Sequence, residues 1–222
     1  MKLAPHLHRL GNDIVACYLV SLPEGITLID AGLPGHWSDL LRELEAIGRP
    51  LSDIRGLVLT HGDTDHFGFA ERLRSGEKPE TPMGLDHFRA GRLWPMLGFF
   101  TYGLRKNGLR SRVVQQVREV SDGDEIDLPG SPAIIAVPGH SPGSVAVHVP
   151  AVDAVFVGDA LTTRHVLAGI QGPQPAPFTS DPDTAKASLG RLKGVSASWV
   201  LPGHGGPWRG DPADIAAAVQ SQ

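Results

Sequence analysis

Three apolar runs in the second half of the chain, "AIIAVPGH", "DAVFVGD" and "ASWVLPGH", each stop at a Gly followed at once by His or Asp. Unrelated core strands have no reason to end alike, so this recurrence constrains the fold more than any other feature. Several strand ends must meet. The earlier run "IRGLVLTH" belongs with them, because it breaks off into the polar cluster "GDTDHFG". Loops at strand ends are where a rigid scaffold usually places its chemistry.

Strands and helices alternate around these loops. "IVACYLVSLP" and "GITLIDAG" are β-branched and aliphatic and read as a hairpin. In "GHWSDLLRELEAIG", Trp37, Leu40, Leu41, Leu44 and Ile47 recur at helical spacing, which predicts a helix with one buried face, ended by Gly48. "SVAVHV" is a further strand, and a helix is expected over 183–192. "DPADIAAAV" reads as a closing helix capped by Asp211, with Pro212 at its first position. No linker divides the chain, so a single α/β domain over 1–222 is expected. It carries a helical, apolar insertion at about 86–117, broken by Pro95, Gly98, Gly103 and Gly108. Trp94, Met96, Phe99, Phe100 and Tyr102 crowd into that insertion. It reads either as a helical hairpin packed on the core or as a lid over a pocket for an apolar substrate.

Composition removes several classes of function. A formal net charge of −4 lacks the basic footprint of a nucleic-acid binder. The lone Cys17 forms no internal disulfide and supplies no thiolate cluster, so any metal must be held by His and carboxylate. No run of about 18 apolar residues is present to span a membrane, and "MKLAPHLHRLGND" has no apolar signal region. A cytoplasmic protein without nucleic-acid or membrane partners is expected. With 27 Gly and 19 Pro the chain is about a fifth loop-forming residues, against roughly an eighth in average usage.

The polar residues at the strand ends are His61, Asp63, Asp65 and His66 from one loop and His140, Asp159 and His204 from three others. Seven imidazoles and carboxylates without a thiolate suit a reactive Zn, Fe or Mn site better than a structural zinc cluster.

These motifs, "THGDTDHFG", "PGHSPGS", "FVGDAL" and "LPGHGGP", stand in the order found in the metallo-β-lactamase fold superfamily of metallo-hydrolases, which the chain resembles over nearly its whole length. The resemblance implies a four-layer αββα sandwich with metals at one edge of its two sheets. It also implies two divalent ions, most simply Zn with Fe or Mn as alternatives. His61, residue 63 and His140 would hold the first ion, Asp65, His66 and His204 the second, and Asp159 would bridge them. Asp65 would additionally orient the nucleophile and manage its proton as the catalytic residue.

One position departs from the pattern. Asp63 stands where the family's loop usually has its second His. Three aspartates and a hydroxide would neutralise two divalent ions fully, whereas the usual His would leave one positive charge, so the first ion here should be a weaker Lewis acid. A carboxylate is also the harder ligand and should favour Mn or Fe at that site. Asp63 reads as a ligand, as a group behind the ligands, or as the mark of a degraded site. Among the remaining polar groups, His165 lies six residues after Asp159 and is a candidate substrate contact. Tyr102 is a candidate oxyanion donor, and Trp94, Phe99 and Phe100 are candidate walls of the pocket. His6, His8, His36, His87 and His148 have no place in the motifs.

By resemblance the expected function is hydrolysis of a small ester, lactone or thioester by a metal-bound hydroxide, the apolar insertion favouring an uncharged substrate. The alternatives are an iron-dependent redox enzyme of the same fold, a β-lactam hydrolase, and a binding module that has lost its chemistry. A homodimer through the 94–104 segment is also expected.

Overall fold

Period-two alternation, not total hydrophobicity, assigns each strand its two faces. In β3 (Ala16–Leu22) every residue is buried, yet Tyr18, Val20 and Leu22 enter one apolar cluster while Cys17 and Leu19 enter another. β7 (Val145–Val149) and β8 (Ala154–Gly158) behave likewise: Val145, Val147, Val149 and Phe156 face inward, and Ala146, Val155 and Val157 face outward. Such strands are covered on both sides. The result is three cores between four layers, the αββα sandwich of the sequence reading.

The structure is a computed structural model that describes residues 1–76 and 95–222. The first sheet has the order β1 (Lys2–Ala4), β2 (Leu7–Gly11), β3, β4 (Gly25–Ile29) and β5 (Ile54–Val58). The expected hairpin is β3 and β4, paired antiparallel with Leu22 opposite Gly25. α1 (Trp37–Ala46) and α2 (Ala70–Ser75) cover the outer face, burying Trp37, Leu40, Leu44 and Phe69 against Leu19, Ile26 and Leu28. The second sheet runs β12 (Trp208–Arg209), β11 (Trp199–Pro202), β8, β7 and β6 (Ala133–Ala136). α5 (Pro212–Gln220) and the turn after α4 (Pro182–Ser188) close its outer face through Ile215, Val219, Leu189 and Leu192. Asp211 caps α5, its Oδ1 accepting from Ala213 N at 2.8 Å.

Each large sheet is antiparallel apart from one parallel pair, β4 with β5 and β8 with β11. β6 runs antiparallel to β7, and β7 antiparallel to β8, so β6, β8 and β11 all end on the same side. That is why their Gly-His and Gly-Asp turns lie together. One contact joins the turn after β6 to the end of β5, Val145 N donating to Thr60 O at 2.9 Å, and another joins the ends of β11 and β8, Gly203 N donating to Gly158 O at 2.9 Å. β9 (Thr162–Arg164) and β10 (Gln171–Gln174) pair as a separate ribbon, which accounts for part of the Gly- and Pro-rich stretch "GIQGPQPAPF".

The insertion differs from the helical reading of 86–117. Its part before Pro95 lies outside the described residues, Trp94 with it. α3 spans Pro95–Arg105, one 3-10 turn covers Gly108–Arg110, and 111–117 is not helical. Asn107 sits in the left-handed region with φ 57°, which breaks the helix, and β-branched Val113, Val114 and Val117 give little incentive to restart it.

Candidate metal centre

The loop after β5 is shaped by a residue distant in sequence. Asp30, at the end of β4, accepts from Thr60 N at 2.8 Å and from Thr60 Oγ1 at 2.8 Å. The same carboxylate accepts from His66 Nδ1 at 2.8 Å. The two ends of the His61–His66 loop are thereby tied to one buried anion. Within the loop His66 N donates to Asp63 O at 2.9 Å, making the turn that sends Asp63 and Asp65 to different neighbours.

The seven candidate ligands lie together. Their donor atoms form three overlapping groups, His61 with Asp63 and His140, His61 with His66 and Asp159, and Asp65 with His66 and His204, each within 4.8 Å. Asp63 Oδ2 lies 3.2 Å from His140 Nε2 and 3.6 Å from His61 Nε2. Asp159 sits between the groups, its Oδ2 3.0 Å from His204 Nε2 and 3.8 Å from His140 Nε2, its Oδ1 3.4 Å from His66 Nε2. Asp65 Oδ2 is 3.5 Å from His204 Nε2. All four histidines and Asp159 are buried, whereas the Asp63 side chain is 52% exposed, so the cluster opens to solvent on that side.

Each imidazole is held by its far nitrogen. Besides His66 on Asp30, His61 Nδ1 lies 3.0 Å from Thr60 Oγ1 and His140 Nδ1 3.3 Å from Thr179 Oγ1, and His204 Nδ1 donates to Ile14 O. The loop carrying His204 is pinned by the first sheet: Arg9 Nη2 donates to Gly205 O at 2.7 Å and Tyr18 Oη to Pro202 O at 2.7 Å. All four Nε2 atoms therefore point into the cluster.

The cluster fits a cation. His61 Nε2, His66 Nε2 and Asp159 Oδ1 are buried without a hydrogen-bond partner, an arrangement that is costly unless something else satisfies them. The charges agree with this. The hydrogen bond from His140 and the nearby His61 imidazole hold the Asp63 carboxyl well below the usual range. Burial opposes the charge on Asp159, but His204 and His66 outweigh it and hold that carboxyl low. Burial likewise opposes a proton on His204, and Asp159 overrides it, raising the imidazole to about 9. A site negative enough to retain protons on buried imidazoles is one where a metal ion can replace them.

The remaining candidates are more dispersed. Tyr102 Oη lies 2.7 Å from His36 Nε2, and His36 Nδ1 accepts from Leu33 N at 2.8 Å. His36 is buried and therefore neutral, with its proton on Nε2, so it donates to Tyr102 and leaves the phenolic hydrogen free. Phe99 and Phe100 pack edge to face at 5.8 Å, with Phe100 largely exposed beside Leu97 and Leu104 on α3. Ser111, beyond α3, donates from Oγ to Thr64 O at 3.3 Å, which brings this segment to the ligand loop. His165 is half-buried at the start of the β9–β10 turn and accepts from Ala168 N at 3.2 Å. His6, His8 and His148 bond to Ser21 O, Glu43 and Ser196 O respectively. His87 lies outside the described residues.

Sequence reasoning passed over Asp30 and Thr60. The available signal was a carboxylate closing the apolar run "GITLIDAG", in a backbone conformation of φ 60° that Asp adopts more readily than most residues.

Known proteins resemble this chain in sequence and in fold. The model of the family described as the metallo-beta-lactamase superfamily matches residues 10–204. The chain is 26% identical to the probable metallo-hydrolase YflN of Bacillus subtilis, over 99% of this chain and 93% of that protein. Among solved structures, a metallo-beta-lactamase family protein from Thermus thermophilus superposes with a TM-score of 0.70 at 21% identity, over 99% of this chain and 80% of that one. TTHA1623, solved in a di-iron-bound form, superposes with a TM-score of 0.57 at 28% identity, over 91% and 93% of the two chains.

Proposed function

The chain belongs to the metallo-beta-lactamase superfamily, and from that premise we propose that it is a dinuclear metallo-hydrolase of small uncharged esters, lactones or thioesters. The observation that supports this reading is the interlocked set of donors around Asp159, with buried His61 Nε2, His66 Nε2 and Asp159 Oδ1 aimed into it and unsatisfied by protein. His61, Asp63 and His140 would hold one ion, Asp65, His66 and His204 the other, and Asp159 both. Bound divalent ions supply Lewis acidity and lower the pKa of water.

The protein's own groups do the rest. Asp30 and Ile14 O hold His66 and His204 with their Nε2 atoms inward. The Asp65 carboxylate, 3.5 Å from His204 Nε2, would orient a water and take its proton. Tyr102, with its hydroxyl hydrogen uncommitted, is the candidate donor to a substrate oxygen. Phe99, Phe100 and His165 are the candidate substrate contacts, Phe99 and Phe100 supplying apolar surface suited to a neutral carbonyl compound. The negative net charge favours such a substrate over a phosphodiester.

The test is turnover of an ester, lactone and thioester panel by the Asp65→Ala variant. Loss of turnover with an unchanged circular dichroism spectrum is the expected result, and undiminished turnover overturns the role of Asp65. A second reading, iron-dependent redox chemistry, draws support from the di-iron form of TTHA1623. Elemental analysis of protein purified without added metal separates the two: two zincs per chain favour hydrolysis, and iron together with oxygen consumption favours redox.

A further inference from the structure

The ligand loop His61-Gly62-Asp63-Thr64-Asp65-His66 has the same order of donor types read from either end: His, Asp, Asp, His. Two of its three donor groups divide it at the middle, and the third, His61 and His66 with Asp159, spans the division. His61 and Asp63 group with His140, from the loop after β6, and Asp65 and His66 group with His204, from the loop after β11. The carboxylate-to-imidazole separations in the two halves are similar, 3.2 Å for Asp63 with His140 and 3.5 Å for Asp65 with His204. Asp159 follows β8, which lies between β6 and β11 in the sheet order, and it approaches His140 on one side and His204 on the other.

We infer that the two halves of the centre are equivalent in donor chemistry, two imidazoles and one carboxylate each with Asp159 shared, so that both ions are selected by the same preference among metals. This rests on the two-ion reading above and deepens it. Imidazole suits zinc and iron, while carboxylate suits harder ions such as manganese. A His at position 63 would make one half all-imidazole and leave the other mixed, and the two halves would then prefer different metals. Asp63 removes that difference. Repulsion between the ions weakens binding of the second, but it is the same for any two doubly charged ions and cancels from the ratio of their affinities. The supporting contacts are unequal, since His66 leans on the Asp30 carboxylate and His61 on the Thr60 hydroxyl. Such contacts tune ligand basicity. They do not change the donor types that set the preference.

The experiment is a metal competition read by elemental analysis. Metal-free protein is dialysed against Zn(II) and Mn(II) at constant total concentration and varied ratio, and both metals are counted per chain. The expected wild-type result is two ions per chain throughout, exchanging along one curve with a single midpoint. Asp63→His should split the curve into two midpoints at least about tenfold apart, and Asp63→Glu should keep one. Two separated midpoints in the wild type, or an unsplit curve in Asp63→His, overturn the equivalence. The wild-type and Asp63→Glu curves decide the matter if Asp63→His does not fold. A chain that never holds more than one ion overturns both the equivalence and the two-ion reading beneath it, which is a distinct outcome.

Discussion

Asp30 and His66 are joined across the first sheet by a 2.8 Å hydrogen bond from imidazole Nδ1 to carboxylate Oδ2. Because the carboxylate can only accept, the bond assigns a proton to Nδ1, so Nε2, which faces Asp159, is the nitrogen available to a metal. Asp30→Ala would strand three donors, Thr60 N, Thr60 Oγ1 and His66 Nδ1, in a buried place. We expect a loss of about 3 kcal/mol in metal-free stability by urea unfolding. Metal affinity should fall about 10- to 100-fold in chelator competition.

Gly203 has no room for a side chain. A Cβ there would sit 2.4 Å from His66 Cε1 and 2.7 Å from Asp159 Oδ1. Gly203→Ala should therefore lower the metal content per chain, with a stability cost of about 1–3 kcal/mol. Gly206→Ala is the control, since nothing lies within 4 Å of its Cβ position, and it should retain wild-type metal content.

Asp63→Ala removes the exposed carboxylate that approaches His61 and His140. Bound metal should drop from two ions per chain toward one, measured after dialysis against metal-free buffer. Unchanged stoichiometry would show that Asp63 is not a ligand.

His36 sets a pH dependence away from the ligands. Burial, assisted by nearby Lys106 and opposed by Asp39, lowers its pKa to about 4 from an ordinary 6.5. The unfolded chain therefore takes up this proton before the folded one does. The stabilising effect is complete above about pH 6.5 and is lost as pH falls toward 4, reaching about 2 kcal/mol of loss at pH 5. Comparing urea unfolding at pH 7 and pH 5, His36→Gln should lose less stability than the wild type. Equal losses would place the pH dependence elsewhere.

Much of the fold is legible in the sequence because its signals are local. The alternation in β3, β7 and β8, the spacing of Trp37, Leu40 and Leu44, and the Asp211-Pro212 start of α5 each act within a few residues. The short strands β1, β9, β10 and β12 carry no such pattern. They exist because neighbouring backbone offers a partner, as Thr162–Arg164 does for Gln171–Gln174. The insertion departs from its helical pattern beyond Arg105 because one left-handed residue, Asn107, outweighs the apolar spacing that follows it.

For the candidate centre, sequence alone determined which side chains are available: seven imidazoles and carboxylates at strand ends, with a carboxylate at position 63. Those are properties of residue type and order. Their division around Asp159 was implied by the resemblance, and tertiary structure decided what holds them, Asp30 orienting His66 and Ile14 O orienting His204. No local pattern could encode those partners. They lie 36 and 190 residues away along the chain, and only strand order and direction bring their atoms within hydrogen-bonding reach.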